Sequence, residues 1–452
     1  MMSSYIRQAF LLVATLWGCA RFAQADNPIV QTIYTADPAP IVFDNRVYLF
    51  TGHDENVTAP SVDMRDWRLF SSADMVNWQH HGSPLSLSAF SWASRDAWAA
   101  QVIQRNGLFY YYVTITNDAT GGRSIGVAVS EEITGPYRDA IGKPLVEDGQ
   151  IDPTVFIDDD GQAYLYWGNP GLSYVRLNED MVSYSGNPIQ VELTVESFGE
   201  RVGNPDRNTT LEEGPWFYKR NGLYYMVFAA NCCSEDLRYS TGPSATGPWT
   251  YRGLIMPVQG RANSNHPGVI DFAGKSYLFY HNGALVGGGN NLRSVSVESF
   301  TYTSNGSIPQ INMTVEGPEQ VVALNPFIRQ EAETIAWSQG IQTDAIGDGG
   351  IQVSFIENGG FIKVKGVAFD NGATEFRARV SSATAGGDIE LRLDNSAGSL
   401  IGVCHVPSSG GWDVWITVSC PVVDAVGTHD LYLNFIGIGG GYLFNFDWWQ
   451  FQ

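Results

Sequence analysis

The sequence predicts an all-β protein in two parts, a five-bladed β-propeller followed by a β-sandwich of the jelly-roll kind. Three observations predict it. One hairpin-like phrase is written five times at a nearly constant spacing. The C-terminal part then changes to a different set of alternating strands. The composition suits sheets: aromatics make up 13% of the chain, charged residues only 16%, and there are 49 glycines among 452 residues.

The first 25 residues read as a secretory signal and not as fold. Arg7 supplies a positive start, LLVATLWG an apolar stretch too short to span a bilayer, and Ala23-Gln24-Ala25 a small-residue cleavage site. The mature chain is expected to begin at Asp26 and to be secreted and extracellular. No later stretch reads as a membrane helix, so no membrane partner is expected.

The repeat occupies the next 300 residues, with the propeller placed at 26–325. Its five copies are IVFDNRVYLFTGHD, VIQRNGLFYYYVTITND, VFIDDDGQAYLYWGN, WFYKRNGLYYMVFAAN and VIDFAGKSYLFYHNG. Each is a short apolar strand, a polar turn, and an aromatic strand that ends in a small or polar residue. Tyr48, Tyr111, Tyr166, Tyr225 and Tyr280 mark successive copies. Two of the connections echo each other, EEITGPYRDAIGKPL and SATGPWTYRGLIM. Hairpin units at this period, with chain enough for four strands each, are the signature of propeller blades. A β-sandwich would not require so regular a period.

Charge narrows the partners. The formal net charge is -21, and loss of Arg7 and Arg21 with the signal makes it -23, since residues 1–25 hold no Asp or Glu. Such a chain repels phosphate backbones, so nucleic acid is not an expected partner. An acidic, aromatic-rich surface suits neutral carbohydrate, although many acidic secreted proteins bind nothing by charge. A monomer is expected. Of five cysteines, Cys19 leaves with the signal. An even number remains in an oxidising compartment. Cys404 and Cys420 can pair, while Cys232 and Cys233 are either a vicinal disulfide or two buried thiols. Asn56, Asn208, Asn305 and Asn312 are glycosylation sequons.

Just before the first strand of each copy stand DPAP with Asp37, AWAAQ with Trp98 and Gln101, DPTV with Asp152, EGPW with Glu213, and NHPG with His266. Taken singly, each carboxylate reads as a turn residue or cap. In a propeller the innermost strands line one channel, so equivalent strand ends converge. Three carboxylates and a histidine should then meet at one mouth. Like charges crowded there raise one another's pKa, which keeps a carboxylic acid protonated for general-acid work.

The stretches ADPAPIVFDNRVYLFTGHDE, IDPTVFIDDDG, EEGPWFYKRNGLYYMVF and NHPGVIDFAGKSYLFYHNGAL resemble glycoside hydrolase family 43. The resemblance implies a five-bladed propeller and inversion of anomeric configuration. It implies Asp37 as general base, Glu213 as general acid, and Asp152 as the carboxylate that tunes and orients the acid. It also implies His266 near a channel cation, usually calcium. Arg293 would hold the acid or the substrate, against the plainer reading of a surface salt bridge. Trp98 is either a sugar-stacking wall or core. The wording AWAAQVIQRNG and SYLFYHNGALVGGG resembles arabinoxylan arabinofuranohydrolases, some with β-xylosidase activity. The rim-loop sequence NCCSED falls where such enzymes differ. The Asn-Asp-Pro and Arg-Asp-Pro signatures of fructan-active propellers are absent.

The tail, placed at 326–452, opens with FIRQEAETIAWSQGIQ and closes with GYLFNFDWWQFQ. Between them lie FIKVKGVAF, TEFRARVSS, DIELRLDN and HDLYLNFIG, which read as separate strands of a sandwich. QEAE, VPSSGGWDVW and FNFDWW resemble carbohydrate-binding module family 6. That likeness implies a structural calcium on Glu331, Glu333 and Asp447, and a sugar sandwiched by Phe355 and Trp412 with Asn445 bonding to it. Phe355 stands where the family usually has Tyr, and Gly359-Gly360 where it often has Gly-Asp. The alternative is a purely structural sandwich.

The expectation is therefore a secreted inverting exo-glycosidase that removes α-L-arabinofuranosyl side chains from arabinoxylan, without an organic cofactor. The alternatives are a β-xylosidase or bifunctional xylosidase/arabinofuranosidase, and a non-catalytic carbohydrate-binding propeller. The last would lack one of Asp37, Asp152 and Glu213, and all three are present.

Overall fold

The structure is a computed structural model that describes residues 26–452 apart from 56–61, 148, 205, 348 and 439. The signal segment 1–25 and the sequon at Asn56 lie outside the described residues. Strands dominate, and the α-helix among the described residues is the single turn Val195–Phe198.

Five hairpins seed five blades. Their first two strands are Thr35–Phe43 with Arg46–His53, Ala100–Arg105 with Leu108–Thr116, Thr154–Ile157 with Ala163–Trp167, Leu211–Arg220 with Leu223–Ala230, and Gly268–Phe272 with Lys275–Asn282. All five pairs are antiparallel. The turns explain the tightness. Asp44-Asn45, Asn106-Gly107, Asn221-Gly222 and Ala273-Gly274 each have two successive residues at positive φ. Two-residue turns of that kind match the twist of the strands they join. The marker tyrosines all fall on the second strands, where Tyr111, Tyr166, Tyr225 and Tyr280 are buried. The echoing connections lead through Gly135-Pro136 and Gly247-Pro248 into the fourth strands Arg138–Asp139 and Thr250–Met256.

The innermost strands are tied from blade to blade. Gln101 Oε1 accepts the Val155 N–H at 2.9 Å. Thr154 Oγ1 accepts the Phe217 N–H at 3.0 Å. Trp216 Nε1 donates to the Val269 carbonyl at 3.0 Å. The ring closes where the N-terminal segment runs along the three-stranded fifth blade. There Ile29 N–H donates to the Val295 carbonyl at 3.0 Å, and Asn27 Oδ1 accepts the Val297 N–H at 3.1 Å.

Residues from 330 onward form a β-sandwich. Its two long strands, Phe361–Ser382 and Gly411–Ile436, pair along most of their length with repeated register shifts. The sequence reading placed two strands at FIKVKGVAF and TEFRARVSS. They are one bent strand of 22 residues, because bulges let the chain curve around the core without stopping. Cys404 and Cys420 are bonded, closing a 16-residue span that contains Trp412. Cys232 and Cys233 are also bonded to each other, which decides between the two readings of that pair. Thr334–Ile335 adds to the edge of the first blade against Trp78–His80. Asn77 and Lys365 exchange two hydrogen bonds across the same junction, at 2.9 and 2.8 Å. Asn208, Asn305 and Asn312 are exposed.

Candidate active site

The proline that follows each carboxylate has a structural reason. A proline cannot donate to a strand ladder, so it sits at strand starts and bulges. In the first blade Asp37 and Pro38 together face the single residue Thr51, between the pairs Ala36–Gly52 and Ala39–Phe50. In the fourth, Gly214 and Pro215 face Phe228, between the pairs Glu213–Ala229 and Trp216–Val227. Asp152 and Pro153 immediately precede the strand Thr154–Ile157. Asp37 and Asp152 have φ of 49° and 61°, in the left-handed region that aspartate tolerates better than most residues. Bulges re-aim side chains. Here the bulge turns Asp37 out of the ladder and into the mouth.

These residues meet. Asp37, Trp98, Asp152, Glu213, His266 and Arg293 line one cavity of about 200 Å³, with Ser264 on its wall. Asp37 and Asp152 are buried. Asp152 Oδ2 accepts the N–H of Gly214 at 2.9 Å, so it grips the peptide next to Glu213. Its own N–H is held by Thr114 Oγ1 at 2.9 Å. Gly214 cannot be replaced freely: its φ is 58°, and a Cβ would sit 3.1 Å from the His266 ring. Asn169 Nδ2 donates to Glu213 Oε2 at 2.5 Å, which leaves the other oxygen to carry a proton.

The electrostatics follow from burial. Burial, with the charge of Asp37, pushes the Glu213 carboxyl up to about 7 against the hydrogen bond from Asn169. Burial, then the charges of Glu213 and Asp37, also push Asp152 well above the usual carboxylate range. Two such neighbours hold a shared proton through the neutral range. The N–H of Gly214 favours the ionised form of Asp152 and the side-chain N–H of Asn169 that of Glu213, so the two carboxyls share the proton.

Arg293 is buried, not a surface ion pair. Its Nε and Nη2 bind Asp54 at 2.9 and 2.8 Å, while Nη1 reaches Asp37 Oδ1 at 3.2 Å. Burial opposes its charge, but Asp37 and Asp54 outweigh that and raise its pKa. The sequence reading had it hold the acid or the substrate; its contact is with Asp37. His281 lies behind Asp37. Its Nδ1 accepts the Asp37 N–H at 3.1 Å and its Nε2 donates to the Ser264 carbonyl at 3.0 Å, which fixes a neutral tautomer. Trp98 is a wall with one free side, since the Arg123 guanidinium covers its ring at 4.0 Å. Gln101 serves the blade tie and is not part of the cavity lining.

Asp54, Asn169 and His281 were not singled out from the sequence. A signal was present: each ends, or nearly ends, the second strand of a repeat, in TGHD, YWGN and YHNG.

For a cation at His266, the donors do not fit. Its Nδ1 lies 3.6 Å from Asp37 Oδ1, the oxygen that Arg293 also faces. None of the clusters of three metal-ligating side chains among the described residues includes it, nor the module's Glu331, Glu333 and Asp447. In the module, Glu333 is buried and its Oε2 has no hydrogen-bond partner. Burial raises its pKa well above normal, and the charges of Glu331 and Asp447 add to this. Arg329 pairs with Glu331 at 2.8 Å, and Arg379 with Asp447 at 2.5 Å. An all-oxygen set with one orphaned buried oxygen fits a hard cation such as calcium.

In the module, Phe355 and Trp412 are exposed, at 38% and 36%. Asn445 Nδ2 donates to the Trp412 carbonyl at 3.1 Å, so these two are joined. Tyr442, which the sequence reading did not name, packs edge-on to Phe355 at 5.1 Å.

A propeller whose mouth gathers three carboxylates and an arginine around a sugar-sized cavity, joined to a β-sandwich with exposed rings, defines a class: a modular glycoside hydrolase. The chain belongs to glycosyl hydrolases family 43, whose model matches residues 25–308, and carries a carbohydrate binding module of family 6 at residues 331–452. It is 32% identical to an arabinoxylan arabinofuranohydrolase of Bacillus subtilis (strain 168), over 97% of this chain and 94% of that protein. A xylosidase/arabinosidase of Bacteroides ovatus is 31% identical over 64% of this chain and 96% of its own. The crystal structure of a family 43 arabinoxylan arabinofuranohydrolase from Bacillus subtilis in complex with cellotetraose superposes with a TM-score of 0.82. It is 31% identical and covers 95% of this chain and 99% of that one.

Proposed function

We propose that the protein is a secreted, inverting exo-glycosidase that removes α-L-arabinofuranosyl side chains from arabinoxylan, working as a monomer. The observation that carries this reading is the pairing at the mouth. One carboxyl, Glu213, is held protonated up to about pH 7, and Asp37 is held facing it by an arginine and a histidine. Glu213 protonates the leaving oxygen as the glycosidic bond breaks. Asp37 takes a proton from the water that attacks the opposite face of the sugar. Asp152 shares a proton with Glu213 and places it by its bond to Gly214. A cavity of about 200 Å³ suits one terminal pentose, which favours exo action. Arabinose is preferred over xylose because relatives that span nearly the whole of this chain are named arabinoxylan arabinofuranohydrolases. The second reading, a bifunctional xylosidase/arabinosidase, is favoured by the names of relatives matching the propeller.

The module binds the polysaccharide through Phe355, Trp412 and Asn445, and Glu331, Glu333 and Asp447 would hold a structural calcium there. The test is to incubate the protein with arabinoxylan, arabinan and xylooligosaccharides and to identify the sugar released. Early-time proton NMR then gives its anomer. Arabinose of inverted configuration is expected. Xylose alone, or a retained first product, would overturn the assignment.

A further inference from the structure

Glu235 lies outside the three-carboxylate set, yet it is buried at 4% exposure in the rim loop 231–236. Its Oε2 accepts the Asn265 N–H at 2.8 Å, and its own N–H donates to the Asn263 carbonyl at 3.0 Å. The loop thus grips the segment 263–265 at two points. It is anchored itself: Arg201 Nη2 donates to the Cys232 carbonyl at 2.8 Å, and Asn231 Nδ2 to Asp236 Oδ2 at 3.2 Å. Asn265 is buried, and its Oδ1 accepts the N–H groups of His266 at 2.9 Å and His281 at 3.3 Å. The Ser264 carbonyl accepts from His281 Nε2, and His281 Nδ1 accepts the Asp37 N–H. Each step from Glu235 is a hydrogen bond or a peptide link, and the path ends at the residue assigned as base.

We propose that Glu235 is a positioning residue for Asp37: its carboxyl clamps the strap 263–266, which sets His281 and His266 against the base. The proposal rests on the assignment of Asp37 as base and Glu213 as acid. A clamp needs an acceptor oxygen at the right reach and nothing else. Glu235→Gln keeps that oxygen, Glu235→Asp withdraws it by one methylene, and Glu235→Ala removes it.

The experiment measures kcat and KM of the three variants on an arabinoxylan oligosaccharide and on an aryl arabinofuranoside with a good leaving group. Thermal midpoints are recorded alongside. For Glu235→Ala, kcat should fall about 10- to 100-fold, the scale of a misplaced catalytic group, with KM within about threefold. The loss should be equal on both substrates, because both need water activated. Glu235→Gln should stay within about threefold of the parent and Glu235→Asp fall between. Native kcat in Glu235→Ala overturns the proposal. So does a loss confined to the oligosaccharide, which would route the effect through Glu213. A Glu235→Gln variant as impaired as Glu235→Ala also overturns it. If Glu235→Ala does not fold, native kcat in Glu235→Asp has the same force. Glu213→Ala is run in parallel: if its loss does not depend on the leaving group, the acid–base assignment fails, separately from the clamp.

Discussion

The propeller mouth and the module's cleft are both read as sugar sites, and they are built in opposite ways. At the mouth the working groups are charged and withdrawn from solvent: Asp37, Asp152 and Arg293 are all under 8% exposed. At the cleft the rings of Phe355 and Trp412 stand out at more than a third exposed, and the polar partner is a neutral amide, Asn445. The difference follows from the task. Moving protons requires pKa values displaced from their solution values, and burial beside like charge displaces them. Holding a sugar requires an apolar face ready to be covered, and burial would remove it. Backbone placement differs for the same reason. The mouth takes its carboxylates from strand starts locked by neighbouring blades, whereas Phe355 lies just beyond the end of the strand Ile351–Ser354.

The comparison breaks most sharply at Asp37 and Glu213. Asp37→Ala should cost about 10²- to 10⁴-fold in kcat/KM on every substrate, since water must always be activated. Glu213→Ala should cost as much on arabinoxylan but far less on an activated aryl arabinofuranoside, whose leaving group needs no proton. Steady-state kinetics of both variants on both substrates check this. The reverse pattern would exchange base and acid.

Next in size is a change that touches only the module. Cysteines 404 and 420 close a 16-residue span. In the chain-entropy model such a link contributes about 3 kcal/mol. Replacing both with serine should lower module stability by about that much in a denaturant titration, while hydrolysis of soluble substrates stays unchanged. A matching loss of hydrolysis would mean that the two sites are not independently built.

Asp152→Asn should do less than either catalytic change and do it through pH. With Glu213 held up to about 7, kcat/KM should fall as pH rises through that value and the acid loses its proton. Removing the Asp152 carboxyl removes the partner with which Glu213 shares that proton. The alkaline limb should therefore move to lower pH. A pH–rate profile of the variant reads this directly; an upward shift would contradict the shared-proton account.

The mouth was legible in sequence because a repeat converts sequence position into spatial position. Once five strand starts are aligned, Asp37, Asp152 and Glu213 must share an end of the channel. What supports them was less legible. Asp54 and Arg293 are 239 residues apart and meet only because the first and last blades close the ring. Asn169 and His281 lie at or next to the second-strand ends, a position the repeat marked as small or polar without saying what it faces. Glu235 sits in the connection between the second and third strands of its blade, whose wording NCCSED the other repeats do not share. In the module the alternation of residues revealed strands but not that two of them are one. A bulge keeps the pattern while bending the chain, and nothing in FIKVKGVAFDNGATEFRARVSS separates a bulge from a turn.

The smallest expected effect tests the cleft itself. Trp412→Ala removes an exposed ring and leaves its carbonyl in place to accept from Ser381 and Asn445, so the local hydrogen bonds survive. What is lost is one stacking face. Ring stacking of this kind is worth about 1 kcal/mol beyond area, so affinity for insoluble arabinoxylan should fall roughly five- to tenfold. A depletion assay on the milled polymer measures this. Hydrolysis of a soluble aryl arabinofuranoside should remain within about twofold, because no charged group at the mouth has moved. Phe355→Ala should behave alike. Unchanged depletion by both variants would show that the module holds sugar elsewhere or not at all. A parallel fall in aryl glycoside turnover would show that the exposed rings reach the mouth, and the division between a dry charged site and a wet apolar one would no longer hold.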